Sequence, residues 1–157
     1  MKEARPLEKL SKRQRARTPR RFAEFLVAQV RWFMDCQDVA VLWVQENSEY
    51  AEIPGVDCWP KSRDAKLYAG PHPIIAHPPC GPWGNYKSRC HQSKEDGVMA
   101  IELVHRWGGI VEQPVGSSLF RIHGLPLQPI VVLDQYDYGH AAIKRTSLYY
   151  SRGLPCA

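Results

Sequence analysis

The run VAVLWV at residues 39–44 is apolar at every position and rich in β-branched side chains. That pattern marks a strand covered on both faces. IVVLD (130–134) reads as another buried strand, and PIIAH (73–77) as a buried strand that ends at a cysteine loop. IVEQP (110–114) is a short strand, and TSLYYS (146–151) closes the chain as a strand. Helical spacing fills the gaps. Phe22, Phe25, Leu26, Val30, Phe33 and Met34 recur at helical period over 18–35, with Thr18 as N-cap and Pro19 at the first helical position. Met99, Leu103, Val104 and Trp107 give a second helix over 94–107, stopped by Gly108-Gly109. Pro54-Gly55 turns the chain, SRDAKLY (62–68) reads as a short helix, and GSSLFRIHG (116–124) as a helical turn. Strands alternating with helices predict an α/β fold: a small, mostly parallel, Rossmann-like sheet with flanking helices.

At 157 residues the chain is expected to be one domain with a core of its own. The formal net charge is +5, yet Lys9, Lys12, Arg13, Arg15, Arg17, Arg20 and Arg21 supply seven positive charges with no acidic residue among them. The basicity therefore belongs to a leader, and the body is mildly acidic. Residues 1–17 are expected to be a disordered leader ahead of a single domain over 18–157. The leader is suited to nucleic-acid phosphates through Lys12, Arg13, Arg15, Arg17, Arg20 and Arg21, or is simply solvated. An acidic body argues against a broad duplex-binding face. No apolar run reaches the roughly 18 residues that span a bilayer, and the N-terminus lacks the apolar core of a secretory signal. A cytoplasmic protein is expected. Five cysteines in that setting read as reduced thiols.

Functional groups in α/β sheets collect at the carboxyl ends of strands. Three clusters fall there: His77 to Cys80, Glu112 to Pro114, and Asp134 with Gln135. Cys80 sits in HPPCGPW, a stiff loop that neither joins a ladder nor continues a helix. Backbone N–H groups at a strand end favour the thiolate, the nucleophilic form; the competing reading is an inert buried thiol, as for Cys36, Cys58, Cys90 and Cys156. Glu112 ends an apolar strand, where burial can raise its pKa as a proton donor requires; it could equally be a partner to the helix start that follows. Trp83 is a candidate stacking wall or a core residue. QYDYGHAAIKRT gathers Gln135, His140 and Lys144 beside tyrosines, a set suited to a phosphate and a base. His77, Cys80, Cys90 and His91 suggest zinc, but the adjacent Cys-His pair fits a tetrahedral chelate poorly, and no metal is expected.

A proline-cysteine at a strand end, then Glu-x-Pro about thirty residues on, resembles the cytosine-5 DNA methyltransferase family. VDCW (56–59), RDA (63–65), AHPPC, GGIVEQP and QYDYGHAAIKRT are similar to small phage-type proteins related to it, over roughly residues 39 to 153. The resemblance implies a reduced methyltransferase-like core whose partner is DNA or a pyrimidine nucleotide. It implies that Cys80 adds to C6 of the base, that Glu112 holds and protonates N3, and that C5 is then modified. His77, Pro79, Trp83, Gln113, Pro114, Gln135, His140 and Lys144 would surround the nucleotide. S-adenosylmethionine is the implied methyl donor. This chain departs from the family in three ways. Its first strand runs into WVQENSEYAEIPG where the family has a glycine-rich cofactor turn. Gln113 replaces asparagine in the Glu-x-Pro motif, and nothing after residue 151 supplies a target-recognition domain. The alternative is a non-catalytic nucleic-acid or protein binder derived from the same fold, such as a phage anti-defence factor.

Overall fold

A computed structural model describes residues 3–155. Cys156 and the first two residues of the leader lie outside them. The centre is a six-stranded sheet in the order β2-β1-β3-β4-β6-β5. Its strands are β1 (Val39–Val44), β2 (Val56–Pro60), β3 (Ile74–Ala76), β4 (Gly109–Pro114), β5 (Gln128–Asp134) and β6 (Arg145–Ser151). β2, β1, β3 and β4 run parallel to one another. β6 enters between β4 and β5 and is antiparallel to both. The sheet is thus mixed, less parallel than the sequence predicts.

Side-chain alternation along β1 explains how both faces are covered. Val39, Val41 and Val44 point into one core with Ile75, Ile110 and Leu148; α2 (Arg20–Met34) closes it with Phe22, Leu26 and Val30. Ala40 and Leu42 point the other way, into a core with Ile74, Ala76 and Val111 under α3 (Glu95–Trp107). Phe22, Leu26, Val30, Val39 and Leu42 are fully buried, and each such side chain contributes about 1.5–3 kcal/mol by leaving water.

Several expectations are corrected. α2 begins at Arg20, its N-cap is Pro19, and no side chain caps it. Pro19 is the last residue in extended backbone before the helix, so the N-cap falls on it and Thr18 lies one residue ahead. SRDAKLY forms only a 3-10 turn, Ala65–Leu67, with Asp64 accepting from the Lys66 N–H. The helical turn expected in GSSLFRIHG is present, as a 3-10 turn at Ser118–Arg121. The segment after Pro54-Gly55 pairs with β1 as the edge strand β2, half-buried at every position and so without an apolar signature. β5 is not buried. Ile130, Val131 and Val132 are 45%, 42% and 49% exposed, because β5 is the outer strand and most of its length is uncovered.

The leader is described from Glu3 onward. A 3-10 turn, Leu7–Lys9, precedes α1 (Lys12–Ala16), which opens with a reciprocal Ser11/Gln14 capping box. Leu10 is buried, and the Arg5 N–H donates to the Ala141 carbonyl at 2.9 Å. Among the described residues no helix is long and apolar enough to cross a membrane.

Candidate active site

Reversal of β6 decides what meets at the sheet's upper edge. The carboxyl ends of β1, β3, β4 and β5 lie there, and an antiparallel β6 brings its amino end, with Lys144 and Arg145, to the same edge. A cavity of about 1120 Å³ opens at this edge. Its walls include Cys80, Glu112, His77, Lys144 and Arg145, residues 43–49 from the end of β1 onward, and residues 12–18. The two predicted catalytic side chains therefore share one cavity.

Glu112 lies on β4 at the bottom and is 8% exposed. Its Oε2 is 3.0 Å from His77 Nδ1, and its Oε1 accepts from Gln135 Nε2 at 3.2 Å and from the Thr146 hydroxyl at 3.3 Å. The second imidazole nitrogen, Nε2, is 2.9 Å from the hydroxyl of the fully buried Tyr50. Burial pushes the carboxyl up, but the hydrogen bond and charge of His77, together with Lys144 and Thr146, outweigh it and hold it below its ordinary value. This corrects the expectation of a raised carboxyl: the neighbours win over burial.

Cys80 leads into a 3-10 turn, Gly81–Trp83, and is exposed to the cavity. Burial of the thiol and the negative field of Glu112 push its pKa up, against an opposing pull from Lys144 and backbone N–H bonding. The expected thiolate is therefore not the resting form. The loop's position is set by Gln113, whose Nε2 donates to the Pro78 carbonyl at 2.7 Å while its Oε1 accepts from the Ser117 hydroxyl at 2.9 Å. Gln113 reaches the cavity wall with Pro79 and Pro114, but its amide is occupied in clamping the cysteine loop to β4.

Three of the candidates for surrounding the nucleotide are not on the wall. Trp83 is 7% exposed and packs into the α3-side core, against a glycine; a Cβ at Gly97 would lie 2.4 Å from its Nε1. His140 is buried, and its Nδ1 accepts the Ala142 N–H at 3.1 Å, which closes a local turn. Gln135 lies beneath Glu112 and supports it without facing the cavity. Of the leader cations, Lys12, Arg13, Arg15 and Arg17 line the cavity, with Arg17 paired to Glu49. Arg20 instead pairs with Glu24 and Glu52, both at 2.7 Å, and Arg21 is exposed on α2 away from the wall. Among the described residues no group of three or more His, Cys, Asp or Glu is placed to hold a metal ion.

The sequence reading missed Tyr50, Thr146 and Trp43. Trp43 lines the cavity with φ of +56°, a conformation that bulky residues avoid, at a bulge where β1 breaks register with β2. Nothing in VAVLWV signals that kink. Tyr50 follows the first strand, in the segment noted for its missing glycines, and Thr146 opens β6. A scan against protein-family models gives no match, and a search of the curated proteins gives none either.

Proposed function

We propose that the cavity binds a pyrimidine base carried on a phosphorylated chain, and that Cys80 adds covalently to its C6 while Glu112 serves N3. The observation that carries this reading is the opposition of an exposed thiol and a buried, well-supported carboxylate in one cavity rimmed by cations.

The coupling between the two groups sets the order of steps. Burial first and the anion of Glu112 second disfavour the Cys80 thiolate, so the proton rests on sulfur. Transfer of that proton to Glu112 produces a thiolate beside a neutral carboxylic acid. The thiolate forms an S–C6 bond, the C5=C6 electrons move to C4=C5, and the C4=N3 electrons move onto N3. Glu112 returns its proton to N3 and becomes a carboxylate again, held by His77, Gln135 and Thr146. The proton leaving sulfur is the one arriving at nitrogen, so the step balances without another reactant. C5 is now an enamine carbon and takes up an electrophile, the simplest being a solvent proton.

The segment that borders the cavity after β1 does not fit a cofactor cradled by close backbone approach. Residues 43–48 contain no glycine, both left-handed positions carry side chains (Trp43 and Asn47), and Glu49 is tied to Arg17. S-adenosylmethionine as the C5 electrophile therefore stays a proposal from the resemblance alone, and calorimetry with it is the direct test.

Incubation with a single-stranded oligonucleotide containing 5-fluorocytosine is expected to yield a covalent adduct that disappears in Cys80→Ala. In deuterated water, ordinary cytosine is expected to exchange its C5 hydrogen. Absence of both products with every pyrimidine substrate overturns the catalytic reading and leaves the non-catalytic binder.

A further inference from the structure

We propose that Tyr50 and His77 are positioning residues that fix the proton arrangement of Glu112, making Tyr50, His77 and Glu112 one buried proton-holding chain. For its ligand this rests on the pyrimidine reading above, but the chain itself can be tested without any ligand.

Tyr50 hydroxyl to His77 Nε2 is 2.9 Å, and His77 Nδ1 to Glu112 Oε2 is 3.0 Å. The Tyr50 and His77 rings pack at 5.5 Å between centroids, tilted by 50°. The Tyr50 side chain is fully buried, and the side chains of His77 and Glu112 are 12% and 10% exposed. Three elements supply the chain: the 3-10 turn Glu49–Glu52 after β1, the loop after β3, and β4.

Ionisation of Glu112 fixes the donor and acceptor roles. An ionised carboxylate only accepts, so His77 Nδ1 must carry the hydrogen it shares with Glu112. Nε2 is left facing a hydroxyl, which can donate to a neutral imidazole or accept from an imidazolium. The hydroxyl therefore keeps its hydrogen bond to Nε2 in either role, while Nδ1 keeps its own to Glu112. A carboxylate in place of Tyr50, which only accepts, would favour the imidazolium alone. The chain thus holds Glu112 as a carboxylate in the free protein and keeps it a ready proton donor once it has taken the Cys80 proton. A readily ionised acid suits N3 of cytosine, itself a weak base.

The charges that face this chain are few. Lys144 acts on Glu112 from the residue before β6, Cys80 shares the cavity, and Cys58 of β2 faces Tyr50. Gln135 and Thr146 add neutral donors to the other carboxylate oxygen. Burial and the field of Glu112 push the Tyr50 phenol well above its ordinary value, so it stays a hydroxyl.

The test uses Tyr50→Phe, His77→Gln and His77→Leu in the full chain. Carbon NMR of the Glu112 carboxyl is expected to show its titration moving upward in His77→Leu, less in His77→Gln, which keeps a neutral donor, and least in Tyr50→Phe. The pH profile of adduct formation with 5-fluorocytosine oligonucleotide is expected to move in the same order, with His77→Leu slowed about tenfold or more at neutral pH. If Glu112 titrates unchanged in all three folded variants, the inference is overturned. If the titration moves but wild type forms no adduct, the chain stands and the pyrimidine reading falls. Adduct formation in wild type that is indifferent to all three variants overturns the inference and spares that reading.

Discussion

Cys80 illustrates how one side chain's chemistry depends on a neighbour that is distant in sequence. Glu112 disfavours its thiolate and Lys144 favours it. Alkylation of Cys80 by iodoacetamide is therefore expected to require higher pH than a free cysteine does. Glu112→Gln is expected to shift that profile to lower pH and Lys144→Met to higher pH, read by mass spectrometry of the labelled loop. The same logic governs Glu112 in folding. Its native pKa lies below the unfolded value, so its contribution to stability is complete above the ordinary carboxylate range and is lost as pH falls through the native value. Glu112→Gln is expected to flatten the acid limb of the stability profile, measured by urea denaturation across pH. Both residues were legible as candidates from sequence, since each was read at the carboxyl end of an apolar run; Glu112 sits within β4 and Cys80 in the loop beyond β3. Their ionisation was not, because an apolar run signals burial and hides the opposing pull of His77 and Lys144.

At the scale of elements, β4 is fixed at its first residue. Gly109 has φ of +121°, and a Cβ there would lie 1.8 Å from the Ile74 carbonyl oxygen of the neighbouring strand. Gly109→Ala is expected to destabilise the fold by about 3 kcal/mol or more, seen as a lower urea midpoint. Because β4 carries Glu112 and Gln113, the site and this glycine stand together. α2 and α3 were readable because an apolar stripe at helical period is a repeated signal over many residues. β2 was not, since a short, half-buried edge strand has no such repeat. β5 misled in the opposite direction. Its apolar residues signal a strand, and only the order of the sheet leaves Ile130, Val131 and Val132 uncovered.

Over the whole molecule, charge gathers at one edge. Lys12, Arg13 and Arg15 from the leader face the same cavity as Lys144 and Arg145. If that rim holds phosphates, replacing Lys12, Arg13 and Arg15 with alanine is expected to weaken single-stranded DNA binding. The salt dependence is expected to flatten too, by about one unit of slope for each phosphate that no longer meets a cation. Fluorescence anisotropy at several salt concentrations reads both effects, and an unchanged slope assigns the leader no part in binding. The buried Leu10, the Arg5 N–H bond to the Ala141 carbonyl and the Arg17–Glu49 pair tie the leader to the body beside the cavity.

Reading the chain alone was enough for the α/β class, the two long helices, most of the strands and the strand-end positions of Cys80 and Glu112. These are local signals: apolar periodicity, β-branched runs and turn residues act within a few residues of themselves. Which strand ends meet was settled in three dimensions. An antiparallel β6 brought Thr146 against Glu112, and Lys144 and Arg145 to the same cavity. Packing also sent Trp83 and His140 away from the cavity and placed Tyr50 behind His77. Those placements depend on strand order and direction, which arise from burial summed over the whole chain.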